Sequence, residues 1–217
     1  MVLPNKGNQI NKVWGKNSTL DAGIFYKIDP RNYLTVAAYT PVNNKFGRGI
    51  SSLGSNTVYN YSSNIVEASV AYIGLEHFIT DKWFLEEKVY WSGWKITKSV
   101  YLVNKTNGTT ITPANWRDVW SFQITSRYAT TDKVAILGSV MYETNPVPTS
   151  TNQIGYPLAA VVGISTGLDL SLQTGLSVQI LYNYGAFTPH SIINNTNSRG
   201  TVAANFQAFI SQVIYKI

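Results

Sequence analysis

The 217-residue chain contains no cysteine, which excludes a disulfide framework and any thiolate metal site. Charge is scarce. Asp, Glu, Lys and Arg make up 13% of the residues, about half the roughly 25% usual for soluble domains. A soluble sandwich would carry more lysine and glutamate on its outer faces. No apolar run reaches the about 18 residues that a membrane-spanning helix needs. The opening Met1-Val-Leu-Pro-Asn-Lys-Gly-Asn-Gln9 has no apolar h-region, so no signal peptide is read there. Histidine occurs only as His77 and His190, neither in metal-ligand spacing with another His, Asp or Glu. No glycine-rich phosphate loop is present. His190 and Ser191 are adjacent in the chain, and such neighbours rarely face each other productively. The residues therefore point to no enzyme, no metal and no cofactor. A net charge of +6 first suggests nucleic acid. The basic residues are spread singly over turns and loops, so no nucleic-acid partner is expected.

Aromatic residues and alternation are abundant instead. The chain has 14 Tyr, 6 Trp and 8 Phe. Short turns are read at Asp29–Asn32, Thr80–Trp83, Ala129–Lys133 and Leu168–Gln173, and long polar loops at Val42–Ser63, Thr97–Ala114, Asn145–Pro157 and Thr188–Arg199. Strand-like stretches with period two fall at about 18–28, 33–42, 64–79, 83–96, 117–128, 134–144, 159–168, 174–186 and 201–217. Trp120, Phe122, Ile124 and Tyr128 alternate with Ser121, Gln123, Thr125 and Arg127. The same holds for Leu176, Val178, Ile180, Tyr182 and Tyr184 against Ser177, Gln179 and Asn183. One face is apolar with aromatic ends; the other is mixed and small. Several stretches reach the about 9–11 residues with which a tilted strand crosses a bilayer. Tight turns on one rim and long loops on the other complete the pattern of an all-β, antiparallel transmembrane β-barrel of the outer membrane. A soluble β-sandwich shares the local alternation, but strand length and terminal tyrosines favour the barrel. The tryptophans are read as an interface belt rather than a stacking surface for sugars or bases.

If short turns face the periplasm, the first and ninth strands both run downward. A complete bacterial barrel has an even strand number. The chain is therefore expected to be the C-terminal portion of a larger barrel, one partial domain over residues 1–217, unless residues 9–17 hold a poorly signalled strand. The final Phe209-Ile-Ser-Gln-Val-Ile-Tyr-Lys-Ile217 resembles the terminal strand by which barrels are recognised for assembly, with Ile in place of the usual Phe.

Several blocks carry a more specific resemblance. They are Trp14-Gly-Lys-Asn-Ser-Thr-Leu-Asp-Ala-Gly-Ile-Phe-Tyr26 followed by Leu34-Thr-Val-Ala-Ala-Tyr39, then Ile79-Thr-Asp-Lys-Trp83 with Val89-Tyr-Trp-Ser-Gly-Trp94. Asn115-Trp-Arg-Asp-Val-Trp120 and Tyr142-Glu-Thr-Asn-Pro-Val-Pro148 follow. In order and spacing they resemble the long-chain fatty acid transporter family of Gram-negative outer membranes, FadL and the toluene-uptake proteins. The chain departs from that family in having no counterpart of its N-terminal hatch. It also carries Ile154-Gly-Tyr-Pro-Leu158 where the family has an acid–acid–Arg run. The resemblance implies passive outer-membrane transport of hydrophobic molecules, either long-chain fatty acids or aromatic hydrocarbons. The alternative is a structural or adhesive barrel with partner-binding extracellular loops.

A fatty acid needs an apolar channel for its tail and a cationic or donor-rich spot for its carboxylate. By alternation the lumen side includes Phe84, Glu86, Lys88, Tyr90, Trp94, Val119, Gln123, Arg127, Leu137, Met141, Val161, Gln179, Leu181 and Asn183. The candidate ligand-binding residues are Lys88, Tyr90, Trp94, Gln123, Arg127, Met141 and Leu181, with Lys88 and Arg127 as carboxylate partners. The competing role for each cation is an ion pair with a lumen acid such as Glu86 or Glu143. Arg117 and Asp118 are read as a further intrabarrel ion pair. Glu87 falls on the lipid face, at an interface or through a one-residue register slip. The expected partners are a hydrophobic small molecule and outer-membrane lipids, for a monomeric barrel.

Overall fold

The computed structural model describes residues 9–14, 18–41, 47–53, 57–63, 67–104, 108–153 and 157–215. In chain order its strands are β1 (Gln9–Trp14), β2 (Thr19–Asp29), β3 (Asn32–Pro41), β4 (Gly47–Leu53), β5 (Thr57–Ser63), β6 (Val70–Phe78), β7 (Trp83–Ser92) and β8 (Ser99–Asn104). They continue with β9 (Gly108–Pro113), β10 (Val119–Ala129), β11 (Val134–Glu143), β12 (Val161–Gln173), β13 (Leu176–Phe187), β14 (Ser191–Asn194), β15 (Arg199–Val202) and β16 (Asn205–Tyr215). Nine strands form one sheet in the order β16-β13-β12-β11-β10-β7-β6-β3-β2, with antiparallel neighbours throughout. The edge strands β2 and β16 run in the same direction. Among the described residues no helix is long and apolar enough to cross a membrane; the strands must do so if anything does.

The nine strands of this sheet are those read from the alternation, with shifts at their ends. The stretch 64–79 begins at Val70, and 83–96 stops at Ser92 before a single 3-10 turn, Trp94–Ile96. The turn read at Leu168–Gln173 is strand. The chain turns at Thr174-Gly175 instead, where Gly175 has φ 78°, a left-handed value that glycine takes without steric penalty. The last stretch begins at Asn205, because Arg199–Val202 pairs separately with β14. Lys216, Ile217 and the triplet 154–156 lie outside the described residues.

A second sheet, in the order β1-β4-β5-β8-β9, occupies stretches read as loops or as a doubtful strand. β4 and β5 fall within Val42–Ser63, and β8 and β9 within Thr97–Ala114. These strands are six or seven residues long and rich in Ser, Thr, Asn and Gly. Runs so short and polar give period two too few apolar positions to register.

The short turns are held by their own side chains. In both Thr80-Asp-Lys-Trp83 and Thr131-Asp-Lys-Val134, the threonine hydroxyl accepts the amides two and three residues on, at 3.1–3.2 Å. The repeated Thr-Asp-Lys is one turn used twice. In the first turn Asp29 accepts the Arg31 amide at 2.8 Å and the Asn32 side chain at 2.7 Å. These bonds, the Arg31 amide foremost, hold its carboxyl below the ordinary carboxylate value. The turn gains from that ionised carboxylate at neutral pH and loses the gain as pH falls through the lowered pKa.

The register divides every strand into two faces. Ile180, Leu168, Val140 and Ile124 stand on one side, and Gln123, Met141, Ser165 and Asn183 on the other. The first face is apolar yet open: Trp120, Phe122, Ile124, Tyr128, Ile136, Val140, Ile164 and Ile180 are all exposed. Fully buried apolar residues are few and small, chiefly alanines near the long-loop rim. A sheet whose large apolar residues point away from the protein is arranged for a hydrocarbon solvent. Trp120 and Tyr128 bracket this face on β10. They are eight residues apart, about 27 Å along the strand and about 20 Å across a bilayer at the usual tilt. Trp83, Trp91 and Trp120 stand at strand ends on this face, as an interface belt requires. Trp94 and Trp116 leave the belt and pack edge-on with ring centroids 5.3 Å apart.

Glu87 shares the outward face without any register slip, between Leu75 and Ile124. His77 Nε2 lies 3.8 Å from its carboxylate and His77 Nδ1 2.7 Å from Asn32 Oδ1, so the outward acid has a polar neighbour.

The long-loop rim is knotted around Asn152, which is 1% exposed. Its amide donates to the Leu158 and Ile192 carbonyls and to Ser191 Oγ at 2.8–3.1 Å. Its Oδ1 accepts the Gln153 and Leu158 amides at 3.1 Å, and its carbonyl accepts the Asn195 side chain at 2.6 Å. Thr151 Oγ1 donates to the Ala114 carbonyl at 2.6 Å, and the Arg117 amide donates to the Pro146 carbonyl at 2.7 Å. The connections after β9, β11 and β13 are thereby joined.

Two outcomes follow from these arrangements. Ile124→Lys, at the centre of β10 and facing outward, should destabilise the folded protein by about 2–4 kcal/mol in urea titrations in lipid vesicles, while the inward Gln123→Lys should cost about 1 kcal/mol or less. Equal effects would reverse or abolish the face assignment. Asn152→Ala orphans several buried polar groups at about 1–3 kcal/mol each. It should raise amide exchange in residues 145–160 and 188–202 while leaving the central strands protected.

Candidate functional site

The inward face is laid out in rows by the register. One row crosses all the strands of the large sheet: Phe25, Thr35, Gly74, Lys88, Gln123, Met141, Gly163, Gly185, Phe206. Three of the candidate residues, Lys88, Gln123 and Met141, are consecutive in it. A second row, about 13 Å further along the strands toward the short turns, reads Phe78, Phe84, Arg127, Leu137, Gly167, Leu181, Ile210. Arg127 and Leu181 share that row. Tyr90 stands between Tyr72 and Ser121, with the Tyr72 and Tyr90 rings 5.2 Å apart. Trp94 does not join them. It lies in the 3-10 turn beyond the end of β7, so alternation carried past Ser92 misplaces it.

Glycine makes room on this face. A Cβ on Gly163 would stand 3.3 Å from Met141 Cε, and one on Gly185 would overlap the Phe206 ring. Each larger side chain therefore lies over the glycine opposite it, giving a low, apolar floor.

The inward cations differ in what they hold. Lys88 Nζ is paired with Glu86 Oε1 on its own strand and lies 5.9 Å from the Tyr72 ring centroid. Arg127 reaches across β11 to Asp169, Nε to Oδ2 at 3.0 Å. Asp169 is buried and its second oxygen, Oδ1, has no hydrogen-bond partner. This acid was not singled out in the sequence because it sat inside the supposed turn Leu168–Gln173. With β12 extended to Gln173, alternation turns it inward. Glu143 accepts from Ser121 Oγ at 2.8 Å, so neither cation uses it. Gln123 Nε2 is 3.3 Å from both Thr125 Oγ1 and Ser139 Oγ. The Arg117–Asp118 pairing does not form; Asp118 accepts the Lys95 amide at 3.0 Å instead.

At the long-loop rim Pro113, Ala114, Trp116, Val147 and Leu158 line a cavity of about 210 Å³ with Asn152 at its back. Asn115, at φ 47°, turns the chain into this wall, a conformation that asparagine tolerates better than most residues. Asn115 and Val147 belong to two of the sequence blocks that carry the family resemblance. A second, open hollow of about 340 Å³ lies where Gly23 faces Ala37, beside Tyr39 and Tyr72. Among the described residues no group of acids and histidines is placed to hold a metal.

Residues 6–215 match the model of a family described as outer membrane protein transport protein (OMPP1/FadL/TodX). No curated protein sequence matches the chain. The fold is similar to that of a Pseudomonas aeruginosa FadL homologue, with TM-score 0.67 and 17% identity over 89% of this chain and 50% of that one. It is similar to the CymD monoaromatic hydrocarbon channel, with TM-score 0.63 and 14% identity over 90% of this chain and 50% of that one. The Pseudomonas putida toluene transporter TodX gives TM-score 0.59 and 12% identity over 89% and 47%. The chain thus spans about half the length of these barrels. With the family model matched over nearly its whole length, the chain belongs to the OMPP1/FadL/TodX family of Gram-negative outer-membrane β-barrels.

Proposed function

We propose that the barrel containing this sheet carries hydrophobic molecules across the outer membrane without covalent chemistry. The observation that carries the reading is the inward face. Met141, Leu181 and Phe206 lie over Gly163, Gly167 and Gly185, while Lys88 is neutralised by Glu86 and Arg127 bonds Asp169. A lumen for ions would leave its charges unpaired; this one pairs both cations with acids. Lys88, Tyr90, Gln123, Arg127, Met141 and Leu181 would line the path within a single, monomeric barrel domain surrounded by outer-membrane lipid.

The rim cavity fits the same reading as a place of first contact. Its volume of about 210 Å³ exceeds the roughly 150 Å³ of an apolar cavity that holds benzene. It has room for one ring or a short length of alkyl chain. The name of the CymD channel specifies monoaromatic hydrocarbons and that of TodX toluene; for this chain both hydrocarbons and fatty acids are candidates.

The test is uptake. The gene should restore accumulation of radiolabelled dodecanoate or toluene in cells lacking their own hydrophobic-compound channel. Leu181→Asp, which sets a charge in the apolar path, should lower that uptake about tenfold or more at equal surface levels. Undiminished uptake by the variant would remove Leu181 from the path. Absence of uptake by the unaltered protein would displace transport in favour of a structural or adhesive barrel.

A further inference from the structure

We infer that His77 and Glu87 form a proton-binding site on the lipid-facing side of the sheet, and that its proton tightens the wall between β6 and β7 in acid. The site would serve the barrel whatever the lumen carries.

Glu87 stands where a charge is least welcome. Its neighbours across the ladders are Leu75 and Ile124. The pair Trp83 and Tyr128 lies four residues toward the short turns, and Trp91 with Trp120 four residues the other way. Each pair is about 13 Å off along the strand and about 10 Å off in depth at the usual tilt. Glu87 is thus midway through the hydrocarbon and faces outward, its side chain 48% exposed. An ionisable group at that depth needs a partner. Among the described residues no lysine or arginine shares the outward face of β2, β3, β6, β7 or β10. The other titratable groups on that face are Tyr26 and Tyr128. Asp29, Arg31, Asp81 and Lys82 sit at the short turns, where Arg31 and Asp81 hold each other. That leaves His77.

Hydrogen bonding fixes what His77 offers. Asn32 Nδ2 donates to Asp29 Oδ2 at 2.7 Å, which turns Asn32 Oδ1 toward the imidazole. An amide oxygen only accepts, so His77 Nδ1 carries the hydrogen of their 2.7 Å bond. The other nitrogen, Nε2, lies 3.8 Å from Glu87 Oε2. In a neutral imidazole with its hydrogen on Nδ1, Nε2 is a bare lone pair. It then faces a carboxylate, acceptor against acceptor, and the separation is longer than a hydrogen bond. The pair in that state carries one negative charge into hydrocarbon. One proton, on either atom, removes both faults: a donor stands between the two, and the net charge falls to zero. His77 pairs with Leu85, two residues nearer the short turns than Glu87. The series Asp29, Asn32, His77, Glu87 therefore runs from the aqueous rim inward, and the proton has a polar approach.

Imidazole is the side chain that changes charge between about pH 5 and 8. Because the proton belongs to the folded wall, the stability it adds is present in acid and lost as pH rises through that range. The Asp29 turn acts in the opposite sense and at lower pH, in the carboxylate range. The chain has only two histidines, His77 and His190, so the window is nearly free of other groups. The whole barrel in phosphatidylcholine vesicles would be unfolded with urea at about pH 5.5 and about pH 8, near the two ends of the imidazole range. Its unfolding constant should be larger at the higher pH, by up to about tenfold per pH unit for one linked proton. Glu87→Gln keeps the shape without the charge. It should flatten the dependence and be more stable than the unaltered protein at the higher pH. His77→Gln should flatten the dependence too, and His190→Gln should keep it. A flat profile in the unaltered protein, or a dependence that survives in Glu87→Gln, would overturn the site. A second readout needs no unfolding. In the His190→Gln barrel a single imidazole remains, and its carbon resonance can be followed against pH. Adding Glu87→Gln should move that titration toward acid; an unmoved titration would also overturn the site.

Discussion

The backbone ladder is the constraint on which the rest of this structure depends. Within hydrocarbon no water can satisfy an amide or a carbonyl, and each one left unpaired is expensive. A strand must give both of its edges to neighbours, which leaves only its two faces for everything else. The side chains then divide with a period of two, one set for lipid and one for the lumen. Ile124 and Gln123 are adjacent in the chain and live in different solvents.

That same rule explains what could be read from the residues alone. Facing is a local property, so Gln123, Arg127, Met141 and Leu181 fall on the inward side in the structure as alternation places them. The rule fails where the chain stops being a strand. Trp94 follows Ser92 into a 3-10 turn, and no count of two reaches across it. Asp169 was hidden for the opposite reason: a polar pair near Leu168 resembled a turn, while the glycine that actually turns lay six residues beyond it. The second sheet was illegible because its strands are short and polar, and the Asn152 knot because its partners lie far apart in sequence. Asn152 and Ser191 are 39 residues apart and carry no periodic signal. The resemblance to a family supplied the barrel, but not which acid each cation meets.

The lumen charges show how little a residue type decides by itself. Lys88 and Arg127 have the same sign and face the same way. The acid beside Lys88 sits two positions away on one strand and meets its only cationic group. The acid beside Arg127 comes from two strands away and meets one side of a planar fork. Strand geometry thus makes one ion pair local and the other a tie across β11.

The direction of the two edge strands has a further consequence. Since β2 and β16 point toward the same rim, they cannot be joined to each other by an antiparallel ladder, however far the sheet curls. A second copy of this sheet, inserted in the same sense, offers only edges that point the same way again and so cannot complete it with antiparallel ladders. With antiparallel ladders alone, only a piece whose outermost strands both point the other way can close the wall, and such a piece contains an odd number of strands. The parity of the sheet thereby decides what an antiparallel wall around it requires: an arc unlike itself.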